Sequence, residues 1–524
     1  MAVLHLASAF AQVTGQFDRP DIDWHALAPE LTLLVVGALI TLIDVVFLER
    51  GKAISSTVAG LGLLAVLVPI VTLAVDGVAS NPRQAFGDSE VYVVDGYSLV
   101  LKALFIVIAY LIVLMSTNYI AEGDYWEGEY YGMLLSSVLG MLIMASARDL
   151  VTVFVALELL SIPAYLLATW RKRDLKSNEA GLKYYLNGVF ASALMLYGMS
   201  LLFGVSGSTI LVDINEAVDG ATSTALISLG VVLVIVGFAF KVSAVPFHLW
   251  APDTYEGAPT PVTAFLAVAA KGAGFVALMN LIFAGFWTRA DVYAPALWIL
   301  AALSMTIGNL TALRQDNLVR LMAYSGVAQA GFMLAALAVA GESFDVAQTS
   351  VSAVITYLII YAAMNLGAFA VIMTVARRTR SAEIDGFNGL FQWSPALAII
   401  MTVFLASLAG IPPLGGWFAK FGVFTALIEA NVWWGFVLAV FAAVNTVIAF
   451  GYYGKLASRM WFEDAPTEFD TSPINVPFAL QAALGITVIA TIAFGVYPDM
   501  ITHFSDVDVP SLAAPVLTAA EAGG

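Results

Sequence analysis

The 524 residues contain no cysteine, which removes disulfides, thiolate-held iron–sulfur clusters and cysteine-ligated zinc or haem. Histidine is nearly absent too: His5, His25, His248 and His503 are too scattered to suggest a bis-histidine haem. Charge is scarce. Asp, Glu, Lys and Arg make up 11% of the chain, against about 25% in a soluble domain, and 60% of residues are hydrophobic. With a mean hydropathy of +0.90, a soluble globular enzyme is excluded. The scarcity is greater for positive charge, with 22 Lys and Arg against 38 Asp and Glu, a formal net charge of −16. That balance argues against nucleic-acid binding. Most acids lie in polar connections such as Glu122-Gly-Asp124-Tyr-Trp-Glu127-Gly-Glu129, where solvated surface is the plain reading.

Long apolar runs are abundant. Fourteen are long enough to cross a bilayer as helices: about 27–48, 55–76, 97–120, 130–147, 150–169, 180–206, 223–248, 260–286, 294–313, 318–340, 348–376, 395–428, 432–456 and 476–497. They are continuous rather than alternating, which favours helices over a membrane β-barrel. The expected fold is an all-α polytopic membrane protein of about 14 transmembrane helices. Mostly short connections leave no room for an inserted soluble domain. The longest polar stretches are the first 26 residues, 77–96 and 457–475.

Basic residues assign the sides, since cytoplasmic loops are enriched in them. Loops after odd-numbered spans hold 13: Arg50, Lys52, Arg171, Lys172, Arg173, Lys176, Arg314, Arg320, Arg377, Arg378, Arg380, Lys455 and Arg459. The other side holds 4, namely Arg19, Arg83, Arg148 and Arg289. Both termini are therefore expected outside the cytoplasm, in a cell inner (plasma) membrane. The opening MAVLHLASAFAQ has a small-residue, leader-like end but no basic n-region, so an uncleaved leader is expected rather than a processed signal peptide.

Five basic residues remain, Lys102, Lys183, Lys241, Lys271 and Lys420, all within spans and all lysine. Arginine keeps its proton in a protein, whereas a lysine taken out of water can exchange one. Glu158 sits about eight residues, roughly 12 Å, into the fifth span; an acid at that depth needs a partner or a proton. Lys241 precedes Pro246 by five residues in FAFKVSAVPFHLW. Proline cannot donate to the carbonyl of Val242, so the helix should break there, and the freed carbonyls must face protein or water. His248 is two turns from Lys241 and could relay protons or simply pack. Lys271 is mid-span among small residues, too deep to reach the interface by snorkelling. Lys420 follows SLAGIPPLGGWFAKF. The stretch 395–428 would be about 50 Å as one helix against a core of roughly 30 Å, so a discontinuous helix is expected at Pro412-Pro413. Lys102 and Lys183 lie close to span ends, where snorkelling is the default, and Glu30 and Asp44 carry the same interfacial reading.

The broken spans, seven and twelve, stand five apart. An odd offset reverses direction, so two inverted five-helix repeats are expected, a recognised mark of transport pathways. The organisation follows: 1–26, an external segment; 27–129, spans 1–3; 130–286 and 287–456, the two half-channel repeats; 457–524, a cytoplasmic loop, the last span and an external tail.

The stretches EAGLKYYLNGVFASALMLYG, KVSAVPFHLWAPDTYEGAPTPVTAFLA, LMAYSGVAQAG and LAGIPPLGGWFAKF resemble the antiporter-like subunits of respiratory complex I, the proton-translocating NADH–quinone oxidoreductase. Lysine at 420 and Lys271 beside YEGAPTPVTAF resemble the subunit N branch over approximately residues 29–500. The resemblance implies a proton-translocating membrane subunit without a redox centre or cofactor of its own. FMN, iron–sulfur clusters and quinone belong to partner subunits, among them a neighbouring antiporter-like subunit. It implies Glu158 and Lys241 as the charge pair of the first half-channel, Lys271 as the central relay, Lys420 as the lysine of the second, and Lys183 as a further one. The alternative is a subunit of a multisubunit cation/proton antiporter or membrane-bound hydrogenase.

Overall fold

A computed structural model describes residues 21–47, 52–87, 89–122, 127–219, 224–465, 472 and 474–506. Most of the expected N-terminal segment and external tail lies outside these residues. The described chain is helical apart from one short hairpin. Helix α1 is Ala28–Phe47, α2 Lys52–Val75, α3 Gly96–Ala121, α4 Glu127–Ser146, α5 Leu150–Ala168 and α6 Leu175–Ser206. Then come α7, Thr224–Lys241, the short α8, Trp250–Gly257, and α9, Thr260–Gly285. Helices α10, Ala290–Ala312, α11, Leu318–Val339, and α12, Phe344–Thr379, lead to the short pair α13, Pro395–Ala409, and α14, Gly415–Glu429; α15, Trp433–Phe462, and α16, Phe478–Val496, complete the set. Among the described residues, thirteen helices are long and apolar enough to cross a membrane. The pair α13–α14 makes up a fourteenth, broken span. The protein is an all-α, multi-pass membrane protein.

Both expected breaks are present. Helix α7 stops at Lys241, Ser243 takes a positive φ of 60° and the Val245–Pro246 bond is cis. Helix α13 stops at Ala409, where Gly410 has φ 88°, a conformation glycine adopts without a Cβ penalty. Gly416 is needed for a different reason: a Cβ there would sit 1.8 Å from the Ser407 carbonyl oxygen, so only glycine lets the two half-helices meet. Helix α4 packs on α5 as α10 packs on α11, and α6 packs on α7 and α8 as α12 packs on α13 and α14. The broken spans thus hold matching places among their neighbours.

Strands β1, Arg83–Phe86, and β2, Ser89–Val94, form the antiparallel hairpin. It lies at one end of the bundle: Ile22 bridges Phe86, Tyr92 bridges Ala147, and Asp149 bridges Ile210. At the opposite end Asn317 bridges Glu383, and ion pairs join Arg320 to Asp253 and Arg459 to Asp385. The described basic loops of the odd-numbered spans gather there. At the hairpin end, Arg148 and Arg289 are buried against Asp95 and Asp291, which leaves still less exposed positive charge on that side.

Helices α9, α11 and α12 are almost wholly enclosed by the others, whereas α1, α15 and α16 present most of their surface outward. Apolar side chains such as Leu42, Val447, Phe450 and Ile489 make up that exposed face, as a lipid-facing surface requires.

Candidate functional site

Lys241 is the last residue of α7, where a helix C-terminus favours a cation. It is 3% exposed. Its Nζ donates to Ser161 Oγ of α5 at 2.8 Å and to the Tyr184 hydroxyl of α6 at 3.3 Å. Tyr184 is fixed in turn by stacking on Trp250 of α8, with centroids 4.4 Å apart and planes 15° from parallel. The Trp250 indole donates to the Phe240 carbonyl in the last turn of α7 at 3.0 Å. Glu158 is half-buried and accepts from Ser192 Oγ at 2.6 Å. It forms no ion pair with Lys241; the group on α5 that the ammonium reaches is Ser161, one turn along from the acid.

Lys271 is 1% exposed and directly follows a π-helical turn, Leu266–Ala270, an irregularity common at functional positions. Its Nζ donates to the Gly326 carbonyl of α11 at 2.7 Å. A Cβ on Gly326 would lie 3.1 Å from that nitrogen and 3.0 Å from the Tyr361 hydroxyl, so the glycine makes room for the lysine. One turn on, Gly274 lets α9 pack against the stem of Lys241: a Cβ there would meet Lys241 Cγ at 3.2 Å.

Lys420, 3% exposed, uses the break itself. Its Nζ donates to the carbonyls of Leu408 and Ala409 at 3.2 and 3.0 Å and stands 5.0 Å from the centre of the Phe332 ring. Those carbonyls end α13, and the partial negative charge of a helix C-terminus suits a cation. No carboxylate pairs with it among the described residues. Gln329 of α11 joins it: its Nε2 donates to Leu408 O at 3.2 Å and to the Tyr453 hydroxyl at 3.4 Å. The Tyr357 hydroxyl donates to Gln329 Oε1, and Tyr453 shares a hydrogen bond with Ser325. One helix, α11, therefore supplies the acceptor for Lys271 and a polar link toward Lys420.

The remaining sequence candidates divide. His248 is 7% exposed, with its ring edge-on to Tyr324 of α11 at 6.1 Å. Lys183 is half-exposed and pairs with Glu179 and Asp253 at 2.7 and 2.6 Å, at the charged end rather than beside the buried lysines. Lys102 overturns its expectation: it does not snorkel. It is fully buried, 2.8 Å from Glu30 of α1, with the Tyr92 hydroxyl at 3.3 Å. Glu30 of α1 and Tyr92 of the hairpin close over the ammonium, and Glu30 is itself buried within the protein. Sequence reading missed Ser161, Tyr184, Ser192, Ser325, Gln329, Tyr357 and Tyr453; a hydroxyl or amide in a span is too common to stand out. Among the described residues no three His, Asp or Glu come close enough together to hold a metal ion.

The family model for the membrane part of the NADH:quinone oxidoreductase/Mrp antiporter proteins matches residues 147–446. The chain belongs to that family. Within it, the chain is 38% identical over 487 residues, 92% of this chain and 96% of the relative, to the NADH-quinone oxidoreductase subunit N of Trichlorobacter lovleyi. It is 41% identical over 420 residues, 78% and 83% of the two chains, to the subunit N of Desulfitobacterium hafniense. Among solved structures, a chain of respiratory complex I from Thermus thermophilus superposes with a TM-score of 0.73 at 32% identity, over 93% of this chain and 99% of the other. A chain of the Mrp complex from a Dietzia species gives a TM-score of 0.82 at 19% identity, over 95% and 99%; that likeness is one of fold. The match covers both broken helices, and Glu158, Lys241, Lys271 and Lys420 all fall within it.

Proposed function

We propose that this chain is a proton-translocating membrane subunit of an NADH–quinone oxidoreductase, in which quinone reduction in other subunits drives proton transfer through its buried lysines. The observation that carries the reading is the row of three enclosed ammonium groups, Lys241, Lys271 and Lys420, each bonded to uncharged oxygens. Such a lysine can hold or pass a proton without a fixed counter-ion. The subunit N relatives, 36–41% identical, support reading the chain as part of an NADH-quinone oxidoreductase.

In this reading residues 130–286 and 287–456 are the two half-channels. Glu158 and Lys241 serve the first, with His248 and Lys183 toward its charged end, Lys271 stands between them, and Lys420 serves the second. Moving one charge through 100 mV costs about 2.3 kcal/mol. One hydrogen bond to a charged group is worth about 1.5–3 kcal/mol. Making or breaking the bond of a single lysine is thus enough to direct a step. The chain carries no redox centre; FMN, iron–sulfur clusters and quinone reside in partner subunits. It works in the plasma membrane, both termini external, beside other membrane-arm subunits.

The test is to purify the tagged chain with its partners and measure protons moved per NADH in sealed vesicles. Flavin and iron–sulfur clusters should accompany it, and Lys241→Ala and Glu158→Gln should lower pumping and, through coupling, turnover. Full pumping at normal rate in both variants, with normal assembly, would refute the assignment.

A further inference from the structure

At the charged end a cleft of about 170 Å³ is lined by Lys176, Glu179, Lys183, Asp253, Glu256 and Arg320. Its centre is Asp253, on α8. One carboxylate oxygen accepts from Lys183 of α6 at 2.6 Å and the other from Arg320 of α11 at 2.7 Å. The same Arg320 nitrogen donates to Glu256 at 3.0 Å. Helix α6 belongs to the first half-channel and α11 to the second, so the acid stands between them.

Helix α8 packs on both α6 and α11, but its ties to them differ. On the α6 side α8 is already seated by close packing: a Cβ on Gly257 would lie 2.4 Å from the Lys176 carbonyl oxygen, and Thr254 donates to the Ala180 carbonyl at 3.3 Å. Toward α11 the direct polar ties run from Arg320 to Asp253 and Glu256. These side chains are about one-third exposed, so the pairs add little to stability. What they fix is position. Three residues before Asp253, Trp250 stacks on the tyrosine that binds Lys241. Six residues after Arg320, the Gly326 carbonyl binds Lys271. Helix α11 also presents Tyr324 to His248.

We propose that Asp253 is a positioning residue that ties α8 to α11, so that the Tyr184 contact of Lys241 and the Gly326 contact of Lys271 shift together rather than independently. A displacement of α8 as Lys241 gains or loses its proton then reaches the Lys271 acceptor through Arg320. The inference rests on the proton-carrying reading above and adds a mechanical link between its first two steps.

The link is tested by asking whether coupling between the two lysine sites depends on Asp253. In the assembled complex, Tyr184→Phe perturbs the Lys241 site and Gly326→Ala the Lys271 site. Protons pumped per NADH are measured for each variant and for the pair, first with Asp253 and then with Asp253→Asn. With Asp253 present, the combined loss should differ from the product of the single losses by at least about threefold, as for coupled residues. In the Asp253→Asn background the losses should simply multiply, and Asp253→Glu should restore the coupling. If Asp253→Asn does not assemble, Arg320→Gln removes the same tie from the other side. Equal coupling in both backgrounds, or no coupling in either, overturns the inference. Normal pumping in Lys241→Ala would instead overturn the functional reading itself, so the two failures are distinguishable.

Discussion

Each buried lysine makes a distinct prediction because its acceptors differ. Lys420 lies against two carbonyls at the end of α13, which a guanidinium could also satisfy. If Lys420 acted only as a fixed cation, Lys420→Arg would be tolerated. As a proton carrier it should not be, because arginine does not release its proton. Pumping per NADH should fall in Lys420→Arg as far as in Lys420→Ala, with flavin and cluster content unchanged. Glu30 and Lys102 are expected to behave oppositely, as a structural pair. Glu30→Ala leaves an ammonium buried and should cost roughly 3–5 kcal/mol, read as a lowered unfolding midpoint of the detergent-solubilised complex. Glu30→Gln with Lys102→Met should recover much of it. The lysines themselves were legible in the sequence because charge inside a span is rare. Their hydroxyl and amide partners were not, and Lys102 was misread because its cover comes from distant segments, α1 and the hairpin.

At the scale of elements, the two broken helices were legible from Pro246 and from Gly410 to Gly416, since proline and glycine act through the backbone wherever they occur. The π-turn before Lys271 has no such mark: Leu266–Ala270 reads as ordinary helix, and only packing among α3, α9 and α12 draws it out. Fourteen spans were countable from their long apolar runs, but not which of them would be enclosed. Helices α9 and α11 are no more apolar than the lipid-facing α16, so composition cannot separate them. The second break predicts that Gly416→Ala is poorly tolerated. Its Cβ would strike the Ser407 carbonyl and force α13 and α14 apart, taking Lys420 from its acceptors. Assembly should drop, and any assembled complex should pump less. Gly326→Ala is the milder case, with assembly kept. Loss of the Lys271 bond, about 1.5–3 kcal/mol, would slow a step limited by it by roughly 10- to 100-fold.

For the whole molecule, the alternation of loops between a basic end and the hairpin end makes the topology testable. A chain without cysteine gives no labelling background. Residue Ser177 is buried against the Ala168 carbonyl, so Arg173→Cys, on an exposed loop position, is the better probe. It should resist an impermeant thiol reagent in intact cells, whereas Asn81→Cys near the hairpin should react. Trp417 and Phe421 are exposed on α14 close in sequence to the buried Lys420. No carboxylate pairs with Lys420 among the described residues, and a neighbouring antiporter-like subunit docked there is proposed to supply one. A double-mutant cycle between Lys420 and that neighbour's buried glutamate should be non-additive in pumping rate. The most direct measurement concerns Lys271, the proposed relay between the two half-channels: protons moved per NADH oxidised in sealed vesicles carrying Lys271→Ala. The complex should assemble fully with its flavin and clusters, turn over more slowly and show a clear fall in protons per NADH. Unchanged protons per NADH at unchanged rate would contradict the proposed relay.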